Sequence, residues 1–253
     1  MQMSEPTGTL VLYYVPWCTH SMALMPKWDR LEQQYGGLPK LLTFRKVNCM
    51  QNPEDAANMN IAAYPTIMLF RNGERLFYDG PQTEFGIERF LYGDAVIQRR
   101  PAELADRDWA YKLFKLSVEP YVRALAGEWP EPEQSEFFDE GFLRKPIQII
   151  TKCGRAIGFY GIFVEDTRVT IQRMYIDPDF RGAGLGTMIV NEALQVANQE
   201  RKPLETEVLV GNPAIDFYFK VGFHVVGSKN HGWVQQYVIR HRDTECYLIQ
   251  NAI

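Results

Sequence analysis

A glycine-rich segment is the part of the sequence best suited to chemistry. It spans Met174–Thr187 and contains Gly182, Gly184 and Gly186. An apolar run precedes the glycines and an amphipathic run follows them, so we expect a strand that enters a helix through a tight turn. The first amides of a helix have no partner within it and lie at its positive end. The segment therefore predicts a site for a phosphate or pyrophosphate, with Arg181 adding positive charge at its mouth.

A glycine-rich turn alone is a weak signal, and two other interpretations compete with this one. The turn could be a tight loop that binds nothing. It could also belong to a dinucleotide-binding fold, but the strands predicted before it form an antiparallel meander rather than a βαβ unit. Sequence context is needed to choose among the three.

Two separate motifs provide that context, because both resemble the GNAT superfamily of N-acetyltransferases. Arg181, Gly184 and Gly186 fill the fixed positions of the phosphate-binding motif [Q/R]-x-x-G-x-[G/A]. The segment Gly211–Phe223 resembles a second family motif, N-x-x-A-x-x-[FY]-Y-x-x-x-G-F. The resemblance covers about residues 102–240. It implies a mixed, mostly antiparallel sheet with helices, acetyl-CoA as the cosubstrate, and direct transfer of an acetyl group to an amine acceptor.

The resemblance also implies roles for individual residues. Backbone groups of Met174 and Ile176 would pair with the pantetheine arm of the cofactor, and Asn212 would lie near it. Tyr218 would protonate the departing thiolate, although it could instead be a core aromatic with a satisfied hydroxyl. The residues expected to contact the cofactor are Met174, Tyr175, Ile176, Arg181, Gly182, Ala183, Gly184, Leu185, Gly186, Thr187, Asn212 and Phe217.

No general base can be assigned from the sequence. Some GNAT enzymes use a glutamate on the strand before the glycine-rich loop, but the matching residue here is Gln172. Glu165 and Asp166 are the nearest carboxylates in sequence, and we interpret them as solvated turn residues. A water relay or a partly deprotonated substrate would suffice. Cys153 and Cys246 are predicted to be small buried hydrophobic residues rather than nucleophiles.

An acidic stretch follows the first helix predicted in the GNAT-like part of the chain, and it is relevant to which acceptor would bind. In the GNAT fold this stretch lies near the acceptor cleft, so a carboxylate cluster would favour a cationic amine such as a polyamine. A solvated helix-loop face is the alternative and the one that we prefer. The acidic residues are Glu128, Glu131, Glu133, Glu136, Asp139 and Glu140.

The N-terminal part of the chain carries a different signature. The segment Val15–Ser21, with sequence VPWCTHS, resembles the active-site turn of thioredoxins and protein disulfide isomerases. Pro26 in the following helix, a cis-proline turn at Ala63–Thr66 and a hairpin at Phe70–Gly73 extend the resemblance, which covers about residues 9–92. It implies a thioredoxin-like fold with element order βαβαββα.

The redox chemistry of that family is not expected here. The family motif is C-x-x-C, and this chain has Cys18 and Ser21, so the thiol that would release a mixed disulfide is missing. The buried carboxylate of the family is replaced by Leu12. Cys18 lies at a helix N-terminus, where a thiol pKa is lowered, and could still be a redox thiol with a mixed-disulfide or docking partner. Cys49 is a distant candidate for a resolving thiol, and a scaffold with a leftover cysteine is the alternative.

These signatures predict an α/β protein with a thioredoxin-like domain at 1–97 and a GNAT domain at 98–253. The boundary should be a linker near Ile97–Pro101. The second domain should consist of a helix, a three-strand meander, the helix after the glycine-rich loop, a strand, a short helix and two strands. The ranges expected for these elements are Glu103–Ala126, Ile147–Lys152, Ala156–Glu165, Thr167–Ile176, Gly184–Glu200, Leu204–Val210, Pro213–Val221, His224–Val226 and Trp233–Arg240.

Composition narrows the function classes further. Of the 253 residues, 46% are hydrophobic and 23% charged, which supports packed cores. The net charge of −4 argues against a nucleic-acid partner. The sequence offers no membrane span, so we expect a cytoplasmic protein. The four cysteines form no metal-ligand pattern, and no metal is expected. The favoured function is that of an acetyltransferase. The alternative is a thiol-redox or substrate-docking protein that carries a non-catalytic acetyl-CoA-binding tail. A third hypothesis is a binding module with neither activity.

Overall fold

The chain folds into two compact units, Met1–Val96 and Ile97–Ile253. The computed structural model describes residues 8–36, 42–231 and 234–247. Trp233, the expected start of the last strand, lies outside these residues, as does Leu41, where the sequence predicts the start of a strand that continues to Val47. None of the described helices combines the length and apolarity needed to cross a bilayer.

A four-stranded sheet forms the first unit. Its strand order is β2-β1-β3-β4, with β1 and β2 parallel and the other neighbours antiparallel. The element order is the expected βαβαββα. The elements are β1 (Gly8–Tyr14), α1 (Thr19–Tyr35), β2 (Leu42–Asn48), α2 (Pro53–Asn58), β3 (Thr66–Arg71), β4 (Glu74–Tyr78) and α3 (Glu84–Tyr92).

Alternation along β1 builds a core on each face of this sheet. Leu10 and Leu12 are buried in one cluster with Trp28 of α1. Val11 and Tyr13 belong to a second cluster on the opposite face. This is the period-2 pattern of a central strand covered on both sides.

A longer mixed sheet forms the second unit, in the order β10-β11-β9-β8-β7-β6-β5. All of its described pairings are antiparallel except β8 with β9. Its elements are β5 (Gln98–Pro101), α4 (Arg107–Ala126), α5 (Glu131–Phe142), β6 (Gln148–Lys152), β7 (Arg155–Val164), β8 (Val169–Ile176), α6 (Leu185–Glu200), β9 (Leu204–Leu209), α7 (Ala214–Lys220), β10 (Phe223–His231) and β11 (Val234–His241).

Two elements differ from the sequence prediction. The expected linker at Ile97–Pro101 is largely the edge strand β5, which pairs antiparallel with β6. Its sequence QRRP has no apolar alternation, and an edge strand can end in Pro101 because that position needs no ladder donor. The acidic stretch is mostly helical, because Pro132 in the first turn and the acidic residues Glu131 and Glu133 favour a helix start.

The helices of the second unit cover both faces of its sheet. α4 and α5 pack on one face through an aromatic cluster that includes Phe114, Phe138 and Phe159. The next residue of β7, Tyr160, points the opposite way, and its hydroxyl donates to Glu192 of α6 over 2.9 Å. α6 therefore lies on the other face.

Candidate active site

The strands β8 and β9 separate in the middle of the sheet. They pair in parallel at only three positions, from Val169 opposite Leu204 to Ile171 opposite Thr206. At the last pair, the Thr206 hydroxyl donates to the Ile171 carbonyl over 2.7 Å. Beyond this point β8 continues along β7 while β9 continues along β11. The result is an opening between two central strands, where backbone groups are available to a ligand.

A β-bulge bends β8 at the start of this opening. Gln172 pairs with Gly161 and Tyr175 with Phe159, so two residues of β8 lie opposite one of β7. One of the two, Arg173, has a φ of 55°, a left-handed conformation that is uncommon for a residue with a side chain. The bulge changes which face of the sheet the following side chains occupy.

The start of α6 meets this opening. Its N-cap, Gly184, has a φ of 82° and supplies no side-chain hydrogen bond, and the first turn carries no acidic residue. Gly182, with a φ of 74°, makes the preceding turn. The first amides of this 16-residue helix are therefore donors without a side-chain acceptor, at the positive end of the helix dipole.

One large cavity joins these features. Its volume is about 1310 Å³, and both the opening and the start of α6 line it. Of the residues predicted to contact the cofactor, Ala183 is the one that does not line this cavity; Tyr218, the predicted acid, lines it as well. The predicted residues on its wall are Met174, Tyr175, Ile176, Arg181, Gly182, Gly184, Leu185, Gly186, Thr187, Asn212, Phe217 and Tyr218.

Three of these residues also have structural partners. Arg181 Nε donates to the Ile176 carbonyl over 2.8 Å, so that carbonyl is already occupied. Asn212 Oδ1 accepts from the Ala214 amide at the start of α7, which leaves its amide nitrogen for a ligand. A Cβ on Gly186 would lie 2.8 Å from the Phe217 ring, so close helix packing also requires this glycine.

Two tyrosines lie beside the opening, Tyr218, which is buried, and Tyr175, which is partly buried. Burial raises the pKa of Tyr218, while the neighbouring Thr206 side chain acts in the opposite direction. Burial also raises the pKa of Tyr175 to about 12, opposed by Arg173. The Tyr218 ring packs edge-on against Phe223 at 5.3 Å. Both phenols therefore keep their protons at neutral pH, as a proton donor must.

The side chains at and near the position of the family's general base form hydrogen bonds with one another. Gln172 accepts from Lys145 Nζ over 3.0 Å and donates to Glu165 over 3.3 Å. Glu165 also accepts from Arg168 and Thr170, at 2.7 and 3.1 Å. It is thus part of a hydrogen-bond network rather than a solvated turn residue.

Two further charged residues of the cavity wall, Glu205 and Glu207, belong to no sequence motif and could not be predicted from one. Glu205 is 6% exposed and accepts from Arg240 and Arg168. Glu207 forms an ion pair with Lys229 at 2.6 Å. The only signal in the sequence is polar alternation along β9, and that does not reveal the strand separation.

The acidic stretch contributes less to the cavity than expected. Glu133 and Glu140 are the two of its six acidic residues that line the wall. Glu131 is bound by Tyr111 and Trp129, both at 2.9 Å, and Asp139 is held by two nitrogens of Arg107. These last two carboxylates hold α5 against the rest of the unit.

In the first unit, Cys18 is the N-cap of α1 and donates to the Tyr64 carbonyl over 3.4 Å. The neighbouring Ser21, first through its backbone amide and then through its side chain, lowers the pKa of the Cys18 thiol. Cys49 is buried, and burial raises its pKa. Leu12 is fully buried and offers no proton acceptor.

The two remaining cysteines correct a prediction. Cys153 and Cys246 were expected to be buried, but both are exposed. Cys153 lies in the turn between β6 and β7 with a φ of 49°, and hydrophobicity alone does not predict such a turn position. All four thiols are free. Among the described residues, no three potential metal ligands form a cluster.

Family models match both units. Residues 2–92 match the thioredoxin family and residues 110–223 match the acetyltransferase (GNAT) family. The chain joins a thioredoxin-like domain to a GNAT acetyltransferase domain. The expected α/β fold class, with these domains in this order, is confirmed.

Curated relatives match the thioredoxin-like domain. Protein disulfide-isomerase A3 of Gallus gallus is 35% identical over 88 residues, which are 34% of this chain and 17% of that protein. Protein disulfide-isomerase A4 of Bos taurus is 28% identical over 82 residues, which are 32% of this chain and 13% of the relative. The chain thus spans less than a fifth of either relative.

Solved structures resemble the GNAT domain. The apo form of YjaB from Escherichia coli has a TM-score of 0.47 and 23% identity, covering 58% of this chain and 98% of its own. The PaiA N-acetyltransferase of Thermoplasma acidophilum, solved in complex with coenzyme A, has a TM-score of 0.44 and 17% identity, covering 57% and 98%.

Proposed function

We propose that the GNAT domain transfers an acetyl group from acetyl-CoA to an amine acceptor. One observation carries the proposal: the uncapped start of α6 opens onto the cavity where β8 and β9 separate. This combination offers anion-binding amides and unpaired strand backbone in a single space. Both are needed for a long ligand with a pyrophosphate at one end and a reactive thioester at the other.

The residues present fit such a cofactor. Gly182 and Gly184 have left-handed conformations, which turn the chain into α6 without side chains in the way. The amides of Leu185, Gly186 and Thr187 would hold the pyrophosphate, and no carboxylate in the first turn opposes it. When bound, the thioester would supply an activated acetyl group.

Tyr218 is proposed to act as the general acid. Its hydroxyl keeps a proton at neutral pH because burial raises its pKa. A phenol on the cavity wall can donate that proton to a departing thiolate. No side chain is assigned as the base, since Gln172 cannot accept a proton from an ammonium group and Glu165 is held by three donors.

The acceptor is proposed to be an amine, of a small molecule or of a protein. The idea of a cationic acceptor such as a polyamine depended on the acidic stretch. Only Glu133 and Glu140 of that stretch line the cavity, and basic residues accompany them on its wall. We therefore do not propose a polyamine.

A thiol-release assay tests the proposed activity. Acetyl-CoA would be incubated with the protein and a panel of amines, and free coenzyme A thiol would be followed over time. We expect release that requires both the protein and one class of amine, together with a product heavier by one acetyl group. Binding of acetyl-CoA without transfer to any amine would instead support a non-catalytic acetyl-CoA-binding domain.

Cys18 offers a second candidate function, in the thioredoxin-like domain. We propose that its thiol forms mixed disulfides with a partner, because it is partly exposed at the start of α1 and its pKa is lowered by Ser21. Reaction with an aromatic disulfide reagent, followed by mass spectrometry, tests this. Modification of Cys153 and Cys246 with Cys18 left untouched would argue against it.

A further inference from the structure

Arg173 is a mostly buried cation without a carboxylate partner. Its Nη2 donates to the Phe137 carbonyl over 2.8 Å, and its guanidinium lies 5.0 Å from the Phe137 ring centre and 5.3 Å from that of Phe138. Its Nη1 is buried and has no hydrogen-bond partner among the described residues. Gly141 packs so tightly against the guanidinium that a Cβ there would lie 2.1 Å from Nη2.

Nearby carboxylates do not neutralise this charge. Asp139 and Glu140 attract Arg173 electrostatically, but neither forms an ion pair with it. Asp139 is committed to Arg107 by two hydrogen bonds of 2.8 and 3.0 Å. Burial lowers the pKa of Arg173, as expected for a charge that the protein does not fully compensate. Aromatic rings offset only part of the cost of burying such a charge.

Arg173 lies on the wall of the cavity, just beyond the last pair of β8 with β9. It interacts electrostatically with Tyr175, and Tyr175 interacts in turn with Tyr218. Its neighbours on α5 place it on the α4–α5 side of the bulge, away from the α6 amides proposed for the pyrophosphate. The anion that would complement it therefore belongs to the acceptor rather than to the cofactor.

The rest of the wall supports an anionic group at this place. Arg144, just after α5, is exposed, lines the same cavity and makes no ion pair with another described residue. Even when the ion pairs of Arg168 with Glu205 and of Lys229 with Glu207 are left out, the described lining residues include more basic than acidic side chains. The basic ones are Arg144, Lys145, Arg168, Arg173, Arg181 and Lys229, and the acidic ones are Glu133, Glu140, Glu205 and Glu207.

We infer that the acceptor is an amine that also carries a carboxylate a few bonds from its nitrogen, as a free amino acid does. This inference rests on the proposed acetyltransferase function. Arg144 is placed to contact the carboxylate. Arg173 supports it through its charge, which acts strongly within a low-dielectric wall. The apolar wall formed by Val118, Val122 and Phe137 is suited to an apolar side chain on the same molecule.

Matched acceptors test the inference in the full-length protein. Each amino acid of a panel would be compared with its primary amide and with the amine that lacks its carboxyl group. We expect kcat/KM for the acid to exceed that for the other two by about tenfold to a hundredfold, the usual effect of a hydrogen bond to a charged group. Comparable rates for all three forms, or a preference for peptides or polyamines, would overturn the inference but leave the proposed function standing.

Two variants locate the effect. Arg144→Gln changes an exposed side chain and should fold normally. It should raise KM for the acid much more than KM for the decarboxylated amine. Arg173→Gln should do the same, and Arg173→Lys should recover part of the loss. Arg123→Gln, which removes an exposed arginine paired with Glu119 outside the cavity, is the matched control.

The failures of the two proposals are distinguishable. If acetyl-CoA binds but none of the three acceptor forms is acetylated, this inference falls. The proposed function falls with it only if peptide amines and polyamines are not acetylated either. If the acid is preferred but Arg144→Gln and Arg173→Gln both keep the full preference, the acetyltransferase stands and the assignment of these arginines falls.

Discussion

A Cβ on Gly186 in α6 would lie only 2.8 Å from the aromatic ring of Phe217 in α7, which is too close for two carbon atoms that are not bonded to each other. The sequence motif suggested that this glycine serves the pyrophosphate. The structure gives it a second reason, because α6 and α7 approach each other at this point. The start of α6 is therefore positioned by packing as well as by its own turn.

Gly186→Ala should destabilise the protein by about 1 kcal/mol. Overpacking costs about 1–3 kcal/mol and outweighs the gain of about 1 kcal/mol from replacing a helical glycine. In a Phe217→Leu background the clash is relieved, so the same change should be neutral or stabilising. Urea denaturation of the four proteins in a double-mutant cycle measures this coupling. Additive effects would show that the contact does not constrain α6.

Tyr218→Phe should lower kcat by about a hundredfold, the low end for general acid catalysis, because a thiolate is already a fair leaving group. The affinity for acetyl-CoA should stay nearly constant, since the ring remains. Tyr160→Phe is the control, because Tyr160 is also buried but does not line the cavity, and its hydroxyl donates to Glu192. A lower melting temperature with unchanged kcat would make Tyr218 a structural residue only.

The raised pKa of Tyr218 predicts a pH dependence. Burial favours the protonated phenol, so the donor form persists above the ordinary tyrosine pKa of 10.0. The kcat profile should therefore show no decline from loss of this proton between neutral pH and pH 10. A decline near neutral pH that disappears in Tyr218→Phe would contradict this protonation state.

The thiol of Cys18 should react faster at neutral pH than a cysteine in an unstructured peptide. Its pKa is lowered by the amide and then the hydroxyl of Ser21, so more thiolate is present. Ser21→Ala removes the hydroxyl alone and should slow the reaction, whereas Thr19→Ala should not. Alkylation by iodoacetamide at several pH values, read by mass spectrometry of the Cys18 peptide, gives the pKa. An unchanged rate in Ser21→Ala would exclude the hydroxyl as a cause.

Disulfide reduction should be absent from the wild-type protein, because Ser21 cannot release a mixed disulfide. Ser21→Cys should restore only part of a thioredoxin-like rate, since the fully buried Leu12 still provides no proton acceptor. Turbidity from insulin reduction measures both proteins. A thioredoxin-like rate in the wild type would overturn this account of the first unit.

Much of this architecture can be predicted from the sequence, because local signals are strong at the relevant places. The glycine-rich turn, the long helix after it and the meander before it depend on hydrophobic period and turn residues. The edge strand β5 could not be predicted in this way, since Arg99 and Arg100 pair by backbone hydrogen bonds that leave no pattern in side chains.

Only part of the candidate site could be predicted from the sequence. Its cofactor-facing residues form contiguous motifs, and the structure brings nearly all of them to one cavity. The acceptor side depends on the bulge at Arg173 and on the packing of α5, which are tertiary features. The sequence shows an acidic stretch, but hydrogen bonds to Arg107 and Tyr111 engage two of its carboxylates.

The central claim is that acetyl-CoA binds with its pyrophosphate at the start of α6, and calorimetry with one matched pair of variants tests it. Gly184→Glu places bulk and negative charge beside the α6 amides. Gly154→Glu makes the same change at an exposed turn with a similar φ of 79°, so backbone strain is matched. We predict that the wild type and Gly154→Glu bind acetyl-CoA alike, while folded Gly184→Glu shows no binding. Equal affinity in all three proteins would contradict the account.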